Sequence, residues 1–198
     1  MSRNRDHFFA IAILLECGVG VAAIVLAWLF GVRLGDYFFV DPMSVVVSGA
    51  ATGVIVPFYF GLRFLPFAGL RRTIELVRMI YRNEMRSFSL WKLALLAASA
   101  GIGEELFFRG LLQKGFCNSV GNEVIVVVLV SILFGLLHYL SKTYVVLAFL
   151  ISLYLGFLFL WTNNLFVPMA VHALYDFFVF LHLRLECRSA VVDVDDFF

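Results

Sequence analysis

Three groups of residues carry the makings of hydrolytic or metal chemistry: Glu104-Glu105 with Arg109, His138 four residues after Phe134, and His172 with Asp176. The first group falls in Gly101–Arg109, inside a segment from Leu93 to Leu112 that is otherwise largely apolar. A charge at the centre of a bilayer costs at least about 2.5 kcal/mol on insertion scales, so three ionisable groups together need a reason. On a helix, Glu105 and Arg109 stand one turn apart and can pair, which holds the segment's net charge near minus one. Glu104 points about 100° away from Glu105 and keeps no local partner. An unpaired carboxylate in apolar surroundings is the group expected of a proton acceptor working near neutral pH.

The four-residue spacing of His172 and Asp176 puts both on one helix face. Two histidines and two carboxylates from three different helices can bind a divalent metal or organise a water molecule. No two histidines flank a glutamate in the HExxH form. A single buried histidine is more often hydrogen-bonded structure than a ligand. Both together, beside Glu104 and Asp176 in a chain so poor in buried charge, favour a shared site. Glu16, next to Cys17, is a further carboxylate in an apolar run, but no motif surrounds it. A satisfied helix–helix contact or a near-interface position is its simpler reading. His7 and His182 fall near span ends and read as interfacial.

The composition agrees with a membrane setting. Of 198 residues, 63% are hydrophobic, 17% aromatic and 15% charged, whereas soluble domains carry about 25% charge. The mean hydropathy of +0.98 points the same way. The reading is an all-α, polytopic helical bundle forming one membrane domain over residues 1–198. A net charge of +1 argues against a nucleic-acid surface. Cys17, Cys117 and Cys187 show no CxxC spacing and read as small apolar fillers. The apolar run Phe8–Phe30 is too long for a signal core and lacks an A-x-A site, so it is expected to remain as a first span.

Six spans are expected: about 8–30, 43–65, 90–112, 123–140, 143–161 and 165–183. Pro57 is expected to kink the second, Asn122 to cap the fourth, and Pro168 to sit in the first turn of the sixth. Between spans two and three, Leu70, Ile74, Val77 and Tyr81 form an apolar stripe opposite Arg71, Glu75, Arg78, Arg82 and Arg86. That pattern predicts an amphipathic interfacial helix with its arginines over lipid phosphates, serving mainly to anchor two hairpins. Most lysines and arginines, including Arg3, Arg5, Arg63, Lys92, Lys142, Arg184 and Arg188, fall on one side of such a bundle. Arg33 and Lys114 fall on the other, which places both termini in the cytoplasm. Trp28, Trp91 and Trp161 lie close to span ends, as in an aromatic belt, and the run Asp193–Asp196 reads as a frayed acidic tail. One tension remains. His138 lies at the cytoplasmic end of its span, whereas Glu104 lies roughly 18 Å along the axis from Lys92. Either the segment Ser141–Thr143 dips into the protein, or the third span breaks near Gly101 and Gly103.

Glu104-Glu105-x-x-x-Arg109, Phe134-x-x-x-His138 and His172-x-x-x-Asp176 resemble, in order, the three signature motifs of the CPBP intramembrane proteases, also called the Abi or CAAX-protease family. Residues 1–90 add only a compatible topology. The resemblance implies peptide-bond hydrolysis in a cavity open to the cytoplasm of a bacterial-type membrane. It makes Glu104 the general base, and has His138 help hold the water or a metal. His172 and Asp176 would bind metal or stabilise the tetrahedral intermediate, with the site oriented by Glu105 and Arg109. Zn2+ or another divalent ion, held by Glu104, His138, His172 and Asp176, and a metal-free mechanism both stand. Asp176 occupies a position where family members often have Asn, although an acid also occurs there. An amide donates to an oxyanion and an ionised carboxylate does not, so Asp176 favours a metal-ligand or His172-orienting role unless protonated. The implied partners are membrane lipids and a membrane-associated protein or peptide; prenylated CAAX proteins, bacteriocin leaders and unprenylated peptides all qualify. The alternative is a non-catalytic scaffold or bacteriocin-immunity module on the same fold. A proton- or cation-coupled carrier would need paired broken helices, and the sequence shows none.

Overall fold

The computed structural model describes the backbone of residues 2–195, and the side chains within it except those of 2–4, 118–119 and 188–195. The charges of Arg3 and Arg188 and the acidic tail to Asp196 lie outside the described side chains. Among the described residues the secondary structure is helical, without strands. Eight helices follow one another: α1 (Ser2–Leu29), α2 (Pro42–Leu62), α3 (Ala68–Ile80), α4 (Leu90–Glu105), α5 (Lys114–Val120), α6 (Glu123–Leu137), α7 (Lys142–Thr162) and α8 (Phe166–Asp195).

Local chemistry explains most of the boundaries. Asp41 and Ser44 form a capping box at the start of α2, with Pro42 in the first turn, where its missing N–H costs nothing. Asn122 accepts from the Ile125 N–H and starts α6 as expected. Ser141 accepts from the Tyr144 N–H and starts α7. Pro57 lies inside α2 without interrupting it.

Four helices, α1, α2, α7 and α8, are long and apolar enough to cross a membrane. Their outward faces carry large apolar groups; Leu14 is 71% exposed and Trp161 73%. Two of the three expected spans that hold the chemistry are built differently from the expectation. The third does not end near Leu112. Instead α4 widens at Leu106–Gln113 into π-type turns and continues as α5 to Val120. The fourth stops at Leu137 rather than Leu140; its 15 residues cover about 22 Å, short of a hydrocarbon core of about 30 Å.

Helices α4 and α8 pack against each other at the centre, with α1 on α4, α2 on α8, and α6 beside α7. Two glycines set the closest backbone approaches. A Cβ at Gly101 would lie 2.7 Å from the Ala173 N, and one at Gly103 would lie 2.3 Å from the Glu16 carbonyl oxygen. Both obstacles are backbone, so neither can yield by a rotamer change. Gly103→Ala should therefore separate α1 from α4 at a cost of about 1–3 kcal/mol, seen as a lowered unfolding temperature in detergent. The helix is not broken at these glycines; they serve contact, and the widening comes three residues after Gly103.

The amphipathic α3 forms between the second and third expected spans, with Leu70 buried and Arg71 and Glu75 exposed, and in the turns after it Tyr81 is buried while Arg82 and Arg86 are exposed. Arg78 departs from its expected outward face: its Nε and Nη2 donate to Glu186 of α8 at 3.0 and 2.9 Å. Arg63, capping α2, also pairs with Glu186 and contacts His182. His182 is thus part of a cluster tying α2, α3 and α8, not a free interfacial group. Thr73 and Ser141 share a hydroxyl hydrogen bond of 2.7 Å, which fastens α3 to the α6–α7 turn. Glu186→Ala should loosen α3, and faster trypsin cleavage between Arg63 and Arg72 would register it. The cysteines are unpaired, and Cys17 is exposed rather than filling the interior.

Candidate active site

The interior of the bundle holds an ionic core around the α4 terminus. Glu105 and Arg109 are fully buried and paired, with Arg109 Nε donating to Glu105 Oε2 at 2.8 Å. Arg109 Nη2 donates to Ser152 of α7 at 2.9 Å. The guanidinium also lies 5.9 Å from the centre of the Phe134 ring, within cation–π range. Burying such a pair is tolerable only with additional hydrogen bonds of this kind. The π-type turns begin directly after Glu105, and such widenings recur at functional sites.

The second oxygen of Glu105 reaches across to α8, where His172 Nδ1 donates to Oε1 at 2.9 Å. A carboxylate accepts only, so Nδ1 carries hydrogen and Nε2 is left toward Asp176, whose Oδ2 is 3.7 Å away. His138 is oriented by a parallel device. It follows the last turn of α6, its ring stacks on Phe134 at 4.1 Å, and its Nδ1 donates to the Phe134 carbonyl at 2.8 Å. Its Nε2 therefore faces outward, 3.5 Å from Glu104 Oε1. α6 thus ends at Leu137, three residues before the expected limit. The turn after it lies under α3, and His138 comes to Glu104 at the helix end.

Both histidine–carboxylate pairs open into one cavity of about 230 Å³. Its far walls are apolar, with Leu70, Ile74 and Val77 contributed by α3. Glu104, His138, His172 and Asp176, named from sequence, share this space, while Glu105 and Arg109 stand behind it. Ser152 and Tyr144 stand outside the three motifs; Ser152 reads as one more small residue in an apolar helix and carries no signal. Tyr144 lines the cavity. For Glu16 the sequence favours a satisfied helix–helix contact or a near-interface position. It does lie at the α1–α4 crossing, but its Oε2 is buried without a hydrogen-bond partner.

The donor types match a divalent ion, yet the spacing does not. Among the described residues no three His, Cys, Asp or Glu side chains gather closely enough to hold a metal. The two 3.5–3.7 Å pairs stand as separate couples.

Fold and site together define a helical membrane protein with a buried carboxylate–histidine centre. Residues 86–178 match the family of type II CAAX prenyl endopeptidases, Rce1-like, and the match supports assigning this segment to the CAAX-protease (Abi, CPBP) family. The matched segment contains all three motifs. The chain is also similar to the uncharacterized protein YpbD of Bacillus subtilis (strain 168), at 38% identity over 97 residues, covering 48% of this chain and 45% of that protein. The similarity thus spans about half the length of that relative. No solved structure matches.

Proposed function

We propose that this protein is an intramembrane endopeptidase in which Glu104 activates water for attack on a peptide carbonyl. The observation that carries this reading is the Glu104–His138 couple. With its Nδ1 hydrogen committed to Phe134, a neutral His138 presents an acceptor at Nε2, and Glu104 Oε1 is also an acceptor. At 3.5 Å they are too far apart for a good direct bond, but a water can donate one hydrogen to each. Glu104 then removes a proton, the hydroxide adds to the carbonyl, and the tetrahedral intermediate expels the amine. The proton returns from Glu104 to that amine. A second proton on His172 Nε2 makes a donor for the oxyanion, and Glu105 behind it stabilises the resulting cation. Asp176 orients that ring from the cavity side. Because the donors are spaced as couples, no step is routed through a metal.

In this reading the chain crosses the membrane six times. The α4–α5 segment and the short α6 accompany the four long helices, both termini are cytoplasmic, and α3 covers the cytoplasmic mouth. The positive-inside count and the bacterial relative support a bacterial cytoplasmic membrane. The substrate is a membrane-associated protein or peptide whose apolar part lies against the cavity walls. Purified protein in liposomes, given a panel of fluorogenic peptides, tests this. Glu104-dependent cleavage unaffected by chelator is the expected result. Loss of cleavage on chelation would replace the metal-free route, and equal background from wild type and Glu104→Gln across the panel would favour a non-catalytic binding module.

A further inference from the structure

A fourth carboxylate, supplied by α1, belongs to the geometry of this site. Glu16 and Gly20 stand one turn apart on α1, and Gly103 of α4 packs between them. The Glu16 carbonyl would be 2.3 Å from a Cβ at Gly103, and a Cβ at Gly20 would be 3.2 Å from the Gly103 Cα. Glu104 is the next residue on α4, so Glu16 and Glu104 flank one helix crossing. The charges of Glu104, His172, Asp176 and His138 all bear on the Glu16 carboxyl. Two oxygens are orphaned there: Glu16 Oε2 and Glu104 Oε2 are both buried without a hydrogen-bond partner. Each is an acceptor without a donor, which is costly in an apolar interior.

We propose that Glu16 is a positioning residue for Glu104, one water donating a hydrogen to the Oε2 of each carboxylate. A molecule with two O–H groups satisfies both acceptors at once. The consequence is orientational. With Oε2 tethered toward α1, the Glu104 carboxylate keeps Oε1 on the cavity side, toward His138 Nε2. This deepens the endopeptidase reading and rests on it for its kinetic consequence, although the tether itself exists without any substrate.

Glu16→Leu removes the acceptor and Glu16→Gln retains one. In metal sites the loss of an outer hydrogen-bond partner that orients a ligand typically costs 10–100-fold; on the same orienting logic Glu16→Leu should lower kcat by about that factor with KM unchanged. Glu16→Gln should recover most of the loss, and both variants should unfold at the wild-type temperature in detergent. Wild-type kcat in Glu16→Leu, or equal losses in the Leu and Gln variants, would overturn the proposal while cleavage by wild type and its absence in Glu104→Gln kept the endopeptidase reading intact. Infrared difference spectra test the tether without catalysis: the carboxyl band located by Glu104→Gln should shift in Glu16→Leu. An unshifted band rejects it whether or not the protein hydrolyses anything.

Discussion

Glu104→Gln is expected to reduce cleavage by about 10²–10⁴-fold, the contribution of a positioned general base. The substitution is nearly isosteric. A glutamine carbonyl still accepts a hydrogen bond toward His138, so water is still held, but an amide takes up no proton. The loss should therefore fall in kcat, with KM and unfolding temperature close to wild type. That split separates loss of a base from loss of a fold. If Glu104→Gln retains wild-type kcat with a substrate the protein cleaves, water activation belongs to another group and the proposed role of Glu104 is wrong.

Arg109→Met should act on the fold itself. Arg109 is the largest fully buried side chain among the described residues, and its loss leaves Glu105 as a buried carboxylate without its cation. Breaking one half of a buried pair costs about 3–5 kcal/mol, a large part of a typical total stability of about 5–15 kcal/mol. A sharply lowered unfolding temperature or failure to accumulate in the membrane is the expected result. The double variant Glu105→Gln with Arg109→Met removes both charges, so it should be less destabilised than Arg109→Met alone. It should nevertheless stay poorly active, because Glu105 also orients His172. A double variant as unstable as Arg109→Met would show that packing around the guanidinium, including Ser152 and Phe134, matters more than the uncompensated charge.

These two expectations draw on different parts of what the chain made legible. The pairing of Glu105 with Arg109 followed from helical spacing, which survives even as the helix widens at Leu106. Apolar run lengths located α1, α2 and α7 to within a few residues at their apolar limits, since a bilayer sets those lengths. The same rule failed for α6. Its apolar run, broken only by His138, extends to Leu140, but its helix ends at Leu137, where His138 turns onto the Phe134 carbonyl. Hydropathy reports what tolerates lipid; it does not report where a backbone carbonyl finds a better partner.

The chemical inventory was present in the chain from the outset: helical class, membrane setting, and the identities of Glu104, Glu105, Arg109, His138, His172 and Asp176. Residue type and short-range periodicity carry that information, because an ionisable group in an apolar run is costly wherever the run is placed. Pairing across helices was decided by tertiary packing alone. Packing brought Glu104 to His138 rather than to His172, put Ser152 on Arg109, turned Arg78 inward to Glu186, and set Glu16 beside Glu104 where Gly103 permits backbone contact. Such contacts join residues up to about a hundred positions apart, and their geometry depends on how closely two helices can approach. That distance is a joint property of two helix faces, and no single stretch of sequence contains it.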